Sequence, residues 1–271
     1  MARRLVLCLV AAAALGGCVD HFALDGRASD EWTHTYQLAP GGEIEIGNTN
    51  GRIDVDPADG AGVEIRAERI AKATTDGAAG ELLPRIKINE DVKPDHIKIS
   101  TEHIAGIMIG ASVEVRYHVR APKNAFVHVN STNGIISLTG MSGRIEAHTT
   151  NGGVRGTDLS GPVEASTTNG GVTIDFASVN NAGKDGIRLS TVNGGVVIGL
   201  PDDAKADVVA TCTNGGINVN GVKMEIAEQS RRRVEGKMNG GGTPIDLKTV
   251  NGGIRIRARQ SAEQSQKTET S

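Results

Sequence analysis

Aromatic side chains are scarce in this chain of 271 residues, because one Trp, two Tyr and three Phe make up only 2% of it. Proteins that bind sugars or single-stranded nucleic acids commonly stack the ligand on aromatic rings, so few such platforms exist here. Basic residues are not in excess either: the formal net charge is −3, whereas nucleic-acid binding favours a basic face. The composition therefore predicts no nucleic-acid partner.

Cysteine is also rare, and the three copies do not form the dense pattern of a disulfide-stabilised secreted domain. Cys8 and Cys18 lie near the N-terminus, which leaves Cys212 alone in the body of the chain. Other copies of the repeat described below carry Thr or Ser at the position of Cys212. We interpret Cys212 as a small side chain in a stacked interior position. A reactive thiol is the alternative, although its repeat contains no neighbouring His.

Long apolar runs are missing except near the N-terminus. Arg3 and Arg4 precede an apolar stretch over residues 5–15, which has the length of a secretory signal and is too short for a transmembrane helix. We therefore interpret residues 1–17 as a signal peptide. No later segment is apolar enough to span a bilayer, so the mature chain is expected to be held at a membrane only by an anchor.

The next residues, Leu-Gly-Gly-Cys at 15–18, resemble the lipobox of bacterial lipoproteins. The resemblance implies cleavage before Cys18 and attachment of lipid, palmitate included, to that residue, and several acyl chains would give stable anchoring. An ordinary signal peptide with an incidental Cys18 is the alternative.

Val19, instead of Asp, follows Cys18, which favours the outer membrane over the inner one. The expected location is thus the bacterial cell envelope, on the periplasmic face or the surface.

Two polar segments are predicted to lie outside the fold. Residues 18–31 form a tether, and residues 259–271 contain almost no apolar side chain and should remain disordered. The body between them is long enough for one elongated domain, with an N-terminal β region over residues 32–130 and a repeat region over residues 131–258.

The dipeptide Asn-Gly recurs eight times, and seven copies share one frame. In that frame apolar or small residues lie six, four and two positions before the Asn. Around Asn169, in GPVEASTTNGGVTIDF, apolar and polar residues alternate before and after the dipeptide, which indicates two strands that meet at Asn-Gly. The eight Asn residues are Asn50, Asn133, Asn151, Asn169, Asn193, Asn214, Asn239 and Asn251. Asn239 is the irregular copy.

Two architectures can use this repeat. In one, Asn-Gly is the two-residue turn of an antiparallel hairpin. In the other, each repeat is one coil of a β-solenoid, and Asn-Gly marks a corner. The segment before Asn-Gly keeps its length, whereas extra residues fall at the far corner, over residues 178–184, 201–206 and 221–233. Insertions confined to one side are typical of stacked repeats, so an all-β, single elongated solenoid is favoured.

Stacking would also align like residues into columns. A Thr column and an Asn column would allow side chains to bond from coil to coil and would satisfy inward polar groups. The residues assigned to the Asn ladder are Asn133, Asn151, Asn169, Asn193, Asn214 and Asn251.

The region between Gly51 and Asn133 has a different pattern. Residues 63–67, 86–88, 96–99 and 112–119 alternate like half-exposed strands, and hairpins fit them better than coils. Residues 76–83 are compatible with a short helix that Pro84 ends. We therefore expect an antiparallel β cap, because an open solenoid end exposes a sheet edge. The strand at residues 253–258, with arginines pointing outward, would charge the opposite end.

These motifs resemble a known bacterial family. Repeated Thr-x-Asn-Gly-Gly-Val segments, the opening PGGEIEI at residues 40–46 and the closing run from Asn239 to Ile254 are similar to the putative-adhesin domain of unknown function, family 4097. The likeness covers residues 32–258. It implies a β-solenoid-like protein of the cell envelope and supplies no catalytic residues.

Signals for chemistry are weak. The chain has no Gly-x-Ser-x-Gly elbow, no His-Glu-x-x-His motif and no Walker loop. His128 and His148 lie at outward positions of two repeat strands, and stacking would bring them near Glu146 and Glu164. A metal site there is one interpretation, but a solvated face of mixed charge is preferred, so no metal, cofactor or catalytic site is predicted.

Two surface clusters have similar alternatives. The acids and lysine at 202–207 fit a polar turn better than the acidic cleft of a polysaccharide-acting enzyme. Arg231, Arg232 and Arg233 are interpreted as an exposed loop, with contact to anionic lipid or polymer as the alternative.

The favoured function is a non-enzymatic envelope lipoprotein, a structural or surface-interaction module with an envelope protein or glycan as partner. The alternative function is a polysaccharide lyase or hydrolase on a β-helix scaffold.

Overall fold

The computed structural model describes residues 24–102, 110–180 and 182–259. The predicted lipidation site Cys18, the signal segment and residues 260–271 of the predicted tail lie outside the described residues.

The described part is almost entirely β. Its first strands, up to the second Asn-Gly, are β1 (Gly26–Gln37), β2 (Glu43–Asn50), β3 (Ile53–Ala58), β4 (Gly62–Ala73), β5 (Ile88–Lys93), β6 (His96–Thr101), β7 (Ala111–Pro122) and β8 (Phe126–Asn133). The following strands are β9 (Ile136–Thr139), β10 (Ile145–Asn151), β11 (Val154–Leu159), β12 (Val163–Asn169), β13 (Val172–Phe176), β14 (Ile187–Asn193) and β15 (Val196–Leu200). The last are β16 (Ala206–Asn214), β17 (Ile217–Asn220), β18 (Glu225–Gln229), β19 (Arg233–Met238), β20 (Thr243–Asn251) and β21 (Ile254–Ala258).

The strands form two large sheets. Sheet A has ten strands in the order β1-β4-β7-β3-β9-β11-β13-β15-β21-β17. Sheet B has eleven, in the order β18-β19-β16-β20-β14-β12-β10-β8-β2-β6-β5. Each repeat contributes the strand before Asn-Gly to sheet B and the strand after it to sheet A. Equivalent strands of stacked repeats pair in parallel and in register, as Asn151 does with Asn169. The predicted β-solenoid is therefore confirmed, and the hairpin alternative is wrong.

The core lies between the two sheets because inward and outward residues alternate along every coil. In β12, Val163, Ala165 and Thr167 are buried, whereas the residues between them are partly exposed. In β13 the inward residues are Val172, Ile174 and Phe176. A single cluster of buried apolar side chains runs along the stack from Leu38 to Ile256. Removal of this apolar surface from water is the main driving force for stacking the coils.

The order of the coils in space differs from their order in the chain. The last coil, β20 with β21, lies between the coil of β14 and β15 and the coil of β16 and β17. The expectation that the strand at residues 253–258 lies at the end of the stack and charges it is thus wrong. An ion pair helps to explain the insertion: Arg257 of β21 donates to Asp175 of β13 at 2.8 Å. β15 lies between these two strands and allows the contact because it carries Gly199 at this point. Any larger residue would block it, since a Cβ at Gly199 would lie 1.9 Å from an Asp175 oxygen.

Antiparallel strands cap the first end, as predicted. In sheet A, β1 pairs with β4 over the full length of both strands, and β4 pairs with β7 over most of its length. In sheet B, β5 pairs antiparallel with β6. The short helix is also present as α1 (Asp76–Leu82), with Thr75 capping it, and a 3-10 turn over Leu83–Arg85 contains Pro84.

Two predicted boundaries are wrong. β1 starts at Gly26, so residues 26–31 belong to the fold and not to a tether; their acids pair with arginines of β4, as Asp30 does with Arg69. The solenoid also begins before residue 131, because β2 and β3 already form a coil that pairs with β8 and β9. The cap strands β4 to β7 are thus inserted in the chain between the first coil and the second, whereas β1 precedes the first coil.

The second end is closed by a hairpin. Residues 221–233 were expected to be a corner insertion, but β18 and β19 form strands beside β16, with β19 antiparallel to β16. Because β19 occupies that edge, the coil of β20 and β21 finds its place one position further into the stack. This pairing gives a physical reason for the inserted coil.

The corner at Asn-Gly requires glycine after each stacked Asn. The backbones approach so closely there that a Cβ on Gly170 would lie 1.9 Å from the carbonyl oxygen of Gly152. Gly170 also has φ of 154°, in the region that L side chains rarely adopt. The Gly170 N–H donates to the carbonyl of Asn193 in the next coil at 2.9 Å. The glycine column therefore joins successive coils as well as turning the chain.

A column of buried hydroxyls lies just inside this corner. Thr167 is only 5% exposed, and its hydroxyl donates to the carbonyl of Gly152 at 2.8 Å. Thr149, Thr191 and Thr249 make the same contact with the preceding coil. Cys212 occupies the equivalent position and is buried, as predicted, but its thiol faces the Arg231 carbonyl at 3.8 Å. The hydroxyls of these four Thr residues are thus satisfied by the neighbouring coil.

Candidate functional site

The structure places the predicted Asn ladder along one exposed edge of the stack. Six hydrogen bonds of 2.8–2.9 Å link seven Asn side chains. Each Nδ2 donates to the Oδ1 of the neighbour nearer the first coil, in the spatial order Asn50, Asn133, Asn151, Asn169, Asn193, Asn251 and Asn214.

The ladder differs from expectation in two respects. Asn50 is its first member and was not among the six assigned residues. The amides are at the surface and not inside, since the inward polar position is held by the Thr column. Asn239, the irregular copy, lies elsewhere and donates to the carbonyls of Asp202 and Ala204 at 3.0 and 2.8 Å. The ladder therefore holds coils together and has no chemistry of its own beyond hydrogen bonding.

A shallow groove of about 480 Å³ runs across the outer face of sheet B, beside the ladder. It crosses five neighbouring strands, β10, β12, β14, β20 and β16. Its lining consists of hydroxyl and valine side chains with one lysine: Thr149, Ser166, Thr167, Thr168, Ser190, Thr191, Val192, Thr211, Thr213, Lys248, Thr249 and Val250. Among the described residues, this lining includes no carboxylate or imidazole. We call this surface the hydroxyl groove.

A second concavity, of about 490 Å³, lies at the far corner, where the insertions were predicted. Lys184 and Lys205 line it together with the Gly241–Pro244 backbone. The neighbouring Asp207 carboxylate accepts the Gly242 N–H at 3.0 Å and lies 3.8 Å from Lys237. The Asp207 carboxylate thus serves the corner itself, in agreement with the polar-turn interpretation.

The Arg231–Arg233 segment is also structural in part. It forms the turn of the β18–β19 hairpin, and Arg233 bonds to Glu228 and Glu235 at 2.9 and 2.8 Å. The hydrogen bond to Glu235 is the main reason why the pKa of Arg233 is raised. Only part of the predicted basic patch therefore remains available to an anionic partner.

Parallel pairing brings three of the four predicted outward residues together. Glu146 on β10 lies in register with His128 on β8, and His148 follows two residues later on the same face. The ligand atoms of these three side chains all lie within 4.8 Å of one another. Glu164 lies one strand further, in register with Glu146, and is 3.8 Å from Arg188.

Polar neighbours surround this His-Glu-His cluster. The guanidinium of Arg144 donates to Oε1 of Glu146 at 2.8–2.9 Å, and this hydrogen bond raises the pKa of Arg144. Nδ1 of His148 contacts the Ser166 hydroxyl at 2.7 Å. Nε2 of His128 contacts the amide of Asn130 at 2.9 Å, and its Nδ1 lies 3.7 Å from Glu43.

The end of the stack near β1 gathers several of the rare aromatic residues. Trp32 stacks on His34 at 4.3 Å, and the Tyr36 hydroxyl donates to Glu90 at 2.6 Å. Burial is the main cause that raises the pKa of Tyr36, and the bond to Glu90 acts in the same direction. Because Glu90 lies on β5 in sheet B, these contacts join the edges of the two sheets and close this end of the core.

None of the described helices is both long and apolar enough to cross a membrane. No curated protein matches the chain significantly. A sequence model described as Toastrack DUF4097 matches residues 110–257, which is more than half of the chain.

Solved structures with a similar chain path include a putative cell adhesion protein from Clostridium sporogenes ATCC 15579. Its sequence is 12% identical, the match covers 85% of this chain and 100% of that chain, and the TM-score is 0.47. A putative adhesin from Bacteroides fragilis NCTC 9343 has 12% identity, 84% and 97% coverage and a TM-score of 0.36. A putative lipid binding protein from Parabacteroides distasonis ATCC 8503 has 12% identity, 84% and 96% coverage and a TM-score of 0.28. Likeness at this level is too remote to bear on function.

Proposed function

Since the chain belongs to the Toastrack DUF4097 family of β-solenoid-like proteins, we propose that it is a non-enzymatic lipoprotein of the cell envelope that binds an envelope protein or glycan. The proposed contact surface is the hydroxyl groove on sheet B. The solenoid supplies a rigid face, and the lipid on Cys18 would tether the solenoid to a membrane.

The groove is the observation that carries this proposal. Thr and Ser hydroxyls both donate and accept hydrogen bonds, and parallel strands repeat them about every 4.8 Å. Val192 and Val250 add two apolar side chains that are 42% and 41% exposed. Such a surface suits an extended polar chain that makes many weak contacts.

The position of β1 supports the anchored arrangement. Gly26 follows Cys18 by eight residues, and a chain of that length spans at most about 26–29 Å. The capped end of the solenoid would then face the membrane. The groove begins at β10, two coils beyond β2, and extends to β16 near the other end, so it would be presented away from the bilayer.

Capture of partners from envelope extracts tests the proposal. The lipidated protein is compared with Ser190→Tyr, which places a large ring in the middle of the groove, and with Thr173→Tyr on the outer face of sheet A. Both positions are partly exposed and outward, so neither change should affect folding strongly. We expect Thr173→Tyr to retain a protein or glycan partner that Ser190→Tyr loses. Recovery of no partner, or equal recovery by both variants, would contradict the proposal.

A further inference from the structure

The geometry of the His-Glu-His cluster points to a further site: we propose that His128, Glu146 and His148 bind a late first-row divalent transition metal, with Zn²⁺ as the reference ion. The three residues lie on the outer face of sheet B, on β8 and β10. This site does not depend on the proposed binding function.

The repeat frame explains why the three side chains converge. Residues opposite each other on neighbouring strands, and residues two apart on one strand, are nearest neighbours on the same face of a sheet. Glu146 is therefore adjacent both to His128 across the strands and to His148 along β10. The backbone positions are fixed by the ladder and the core, so the ligands are held on a rigid support.

The donor set fits the proposed class of metal. Two imidazoles and one carboxylate suit Zn²⁺ and its neighbours in the first transition row, whereas Mg²⁺ and Ca²⁺ prefer oxygen ligands only. Metal bonds of about 2.0–2.2 Å require ligand atoms that lie about 3–4 Å apart. The present separations are all within 4.8 Å, so the ligand atoms are close to that value. Three protein ligands leave at least one coordination position for water or another donor.

Neighbouring groups already orient both rings. Ligand histidines usually engage their second ring nitrogen with a carboxylate, a carbonyl or another polar group. Nδ1 of His148 meets the Ser166 hydroxyl at 2.7 Å, and Nδ1 of His128 faces Glu43 at 3.7 Å. In this arrangement both Nε2 atoms would be the metal ligands. The Asn130 amide, now 2.9 Å from Nε2 of His128, would be displaced by the ion.

Arg144 is the main competitor for Glu146. Its guanidinium bonds only to Oε1 of that carboxylate and also lies 3.4 Å from Asp185. The second oxygen of Glu146 therefore remains for the metal. Asp185 and Glu164, one strand away, add negative charge that favours a divalent cation.

Ser166 also lines the hydroxyl groove, so the proposed site lies at the edge of the groove. An open coordination position would face the same side of the sheet.

Equilibrium dialysis and calorimetry with Zn²⁺ test the site in tag-free, chelator-treated protein. The test variants are His148→Ala and Glu146→Gln. His118→Ala is the matched control, because His118 is also an outward, exposed His next to a carboxylate, Asp56 at 3.6 Å, but lies on sheet A. Circular dichroism checks that each variant keeps the fold, and Co²⁺ gives an independent visible-absorption readout.

We expect one Zn²⁺ per chain in the parent protein and in His118→Ala, with affinity at least about tenfold weaker in both test variants. Co²⁺ should give a visible band in the parent that His148→Ala abolishes. Absence of Zn²⁺ binding by the parent, or equal affinity in the parent and His148→Ala, would overturn the proposal. Loss of binding in His118→Ala to the same extent would also overturn it, because the ion would then not be at the cluster.

Discussion

Replacing Asn169 by Ala should lower stability by an amount that depends on its place in the ladder. Asn169 donates to Asn151 at 2.9 Å and accepts from Asn193 at 2.8 Å, so the substitution removes two side-chain hydrogen bonds. A hydrogen bond contributes about 0.5–1.5 kcal/mol net, and the exposed ladder should be near the lower part of that range. The expected loss is about 1–2 kcal/mol, which corresponds to a fall in Tm of about 2–8 °C for a domain of this size.

The end of the ladder provides the internal comparison. Asn214 donates to Asn251 and accepts from no further Asn, so Asn214→Ala removes one bond and should cost about half as much. Thr168→Ala, an exposed change next to Asn169, is the control and should stay within about 0.5 kcal/mol. Thermal and urea unfolding of the three variants measure these differences. Equal effects of Asn169→Ala and Asn214→Ala, or no effect of either, would refute the claim that the ladder hydrogen bonds stabilise the fold.

Three other predictions follow from the corner, the core and the N-terminus. Gly170→Ala should lower the free energy of unfolding, measured in urea, by about 3 kcal/mol or more, because the new Cβ would lie 1.9 Å from the Gly152 oxygen. Gly216→Ala is the control and should be nearly neutral, because the space around Gly216 is open. Burial raises the pKa of Tyr117 to about 12 in the folded protein, so above about pH 10 this phenol ionises first in the unfolded chain. The free energy of unfolding should therefore fall by up to about 2–3 kcal/mol between pH 10 and 12, and Tyr117→Phe should lack this part of the loss. Cys18→Ser should release the protein from the membrane fraction, and unchanged partitioning would contradict lipidation at that residue.

Much of one coil could be predicted from the sequence, because period-two alternation around Asn169 specifies which side chains face inward. The identical frame in seven repeats also predicts parallel, in-register stacking, since a shift by one residue would move every apolar side chain to the solvent face. The cap and the α1 helix have local signals, notably the run that ends at Pro84. The convergence of His128, Glu146 and His148 was foreseeable as soon as the coils were stacked.

The order of the coils could not be predicted in the same way. Equivalent strands are interchangeable in register, so the frame fits the last coil in more than one place. The choice depends on contacts distant in sequence, namely the pairing of β19 with β16 and the ion pair of Asp175 with Arg257. Gly199 was the available signal, because a Gly at an outward strand position often marks a close approach of neighbours. The hydroxyl groove was missed for the same reason, since it is built from strands that are not consecutive.

The inserted coil determines the groove, and one cross-linking measurement tests it directly. Thr191 pairs with Thr249 and Asn193 with Asn251, so Val192 and Val250 lie side by side on neighbouring strands. Their Cα atoms should be about 4.8 Å apart, within the range of a disulfide, whereas Val192 and Thr213 are separated by β20 and lie about 10 Å apart. With the native cysteines replaced, Val192→Cys combined with Val250→Cys should form an intramolecular disulfide under mild oxidation, and Val192→Cys combined with Thr213→Cys should not. The reverse pattern would contradict the inserted coil and the binding surface built on it.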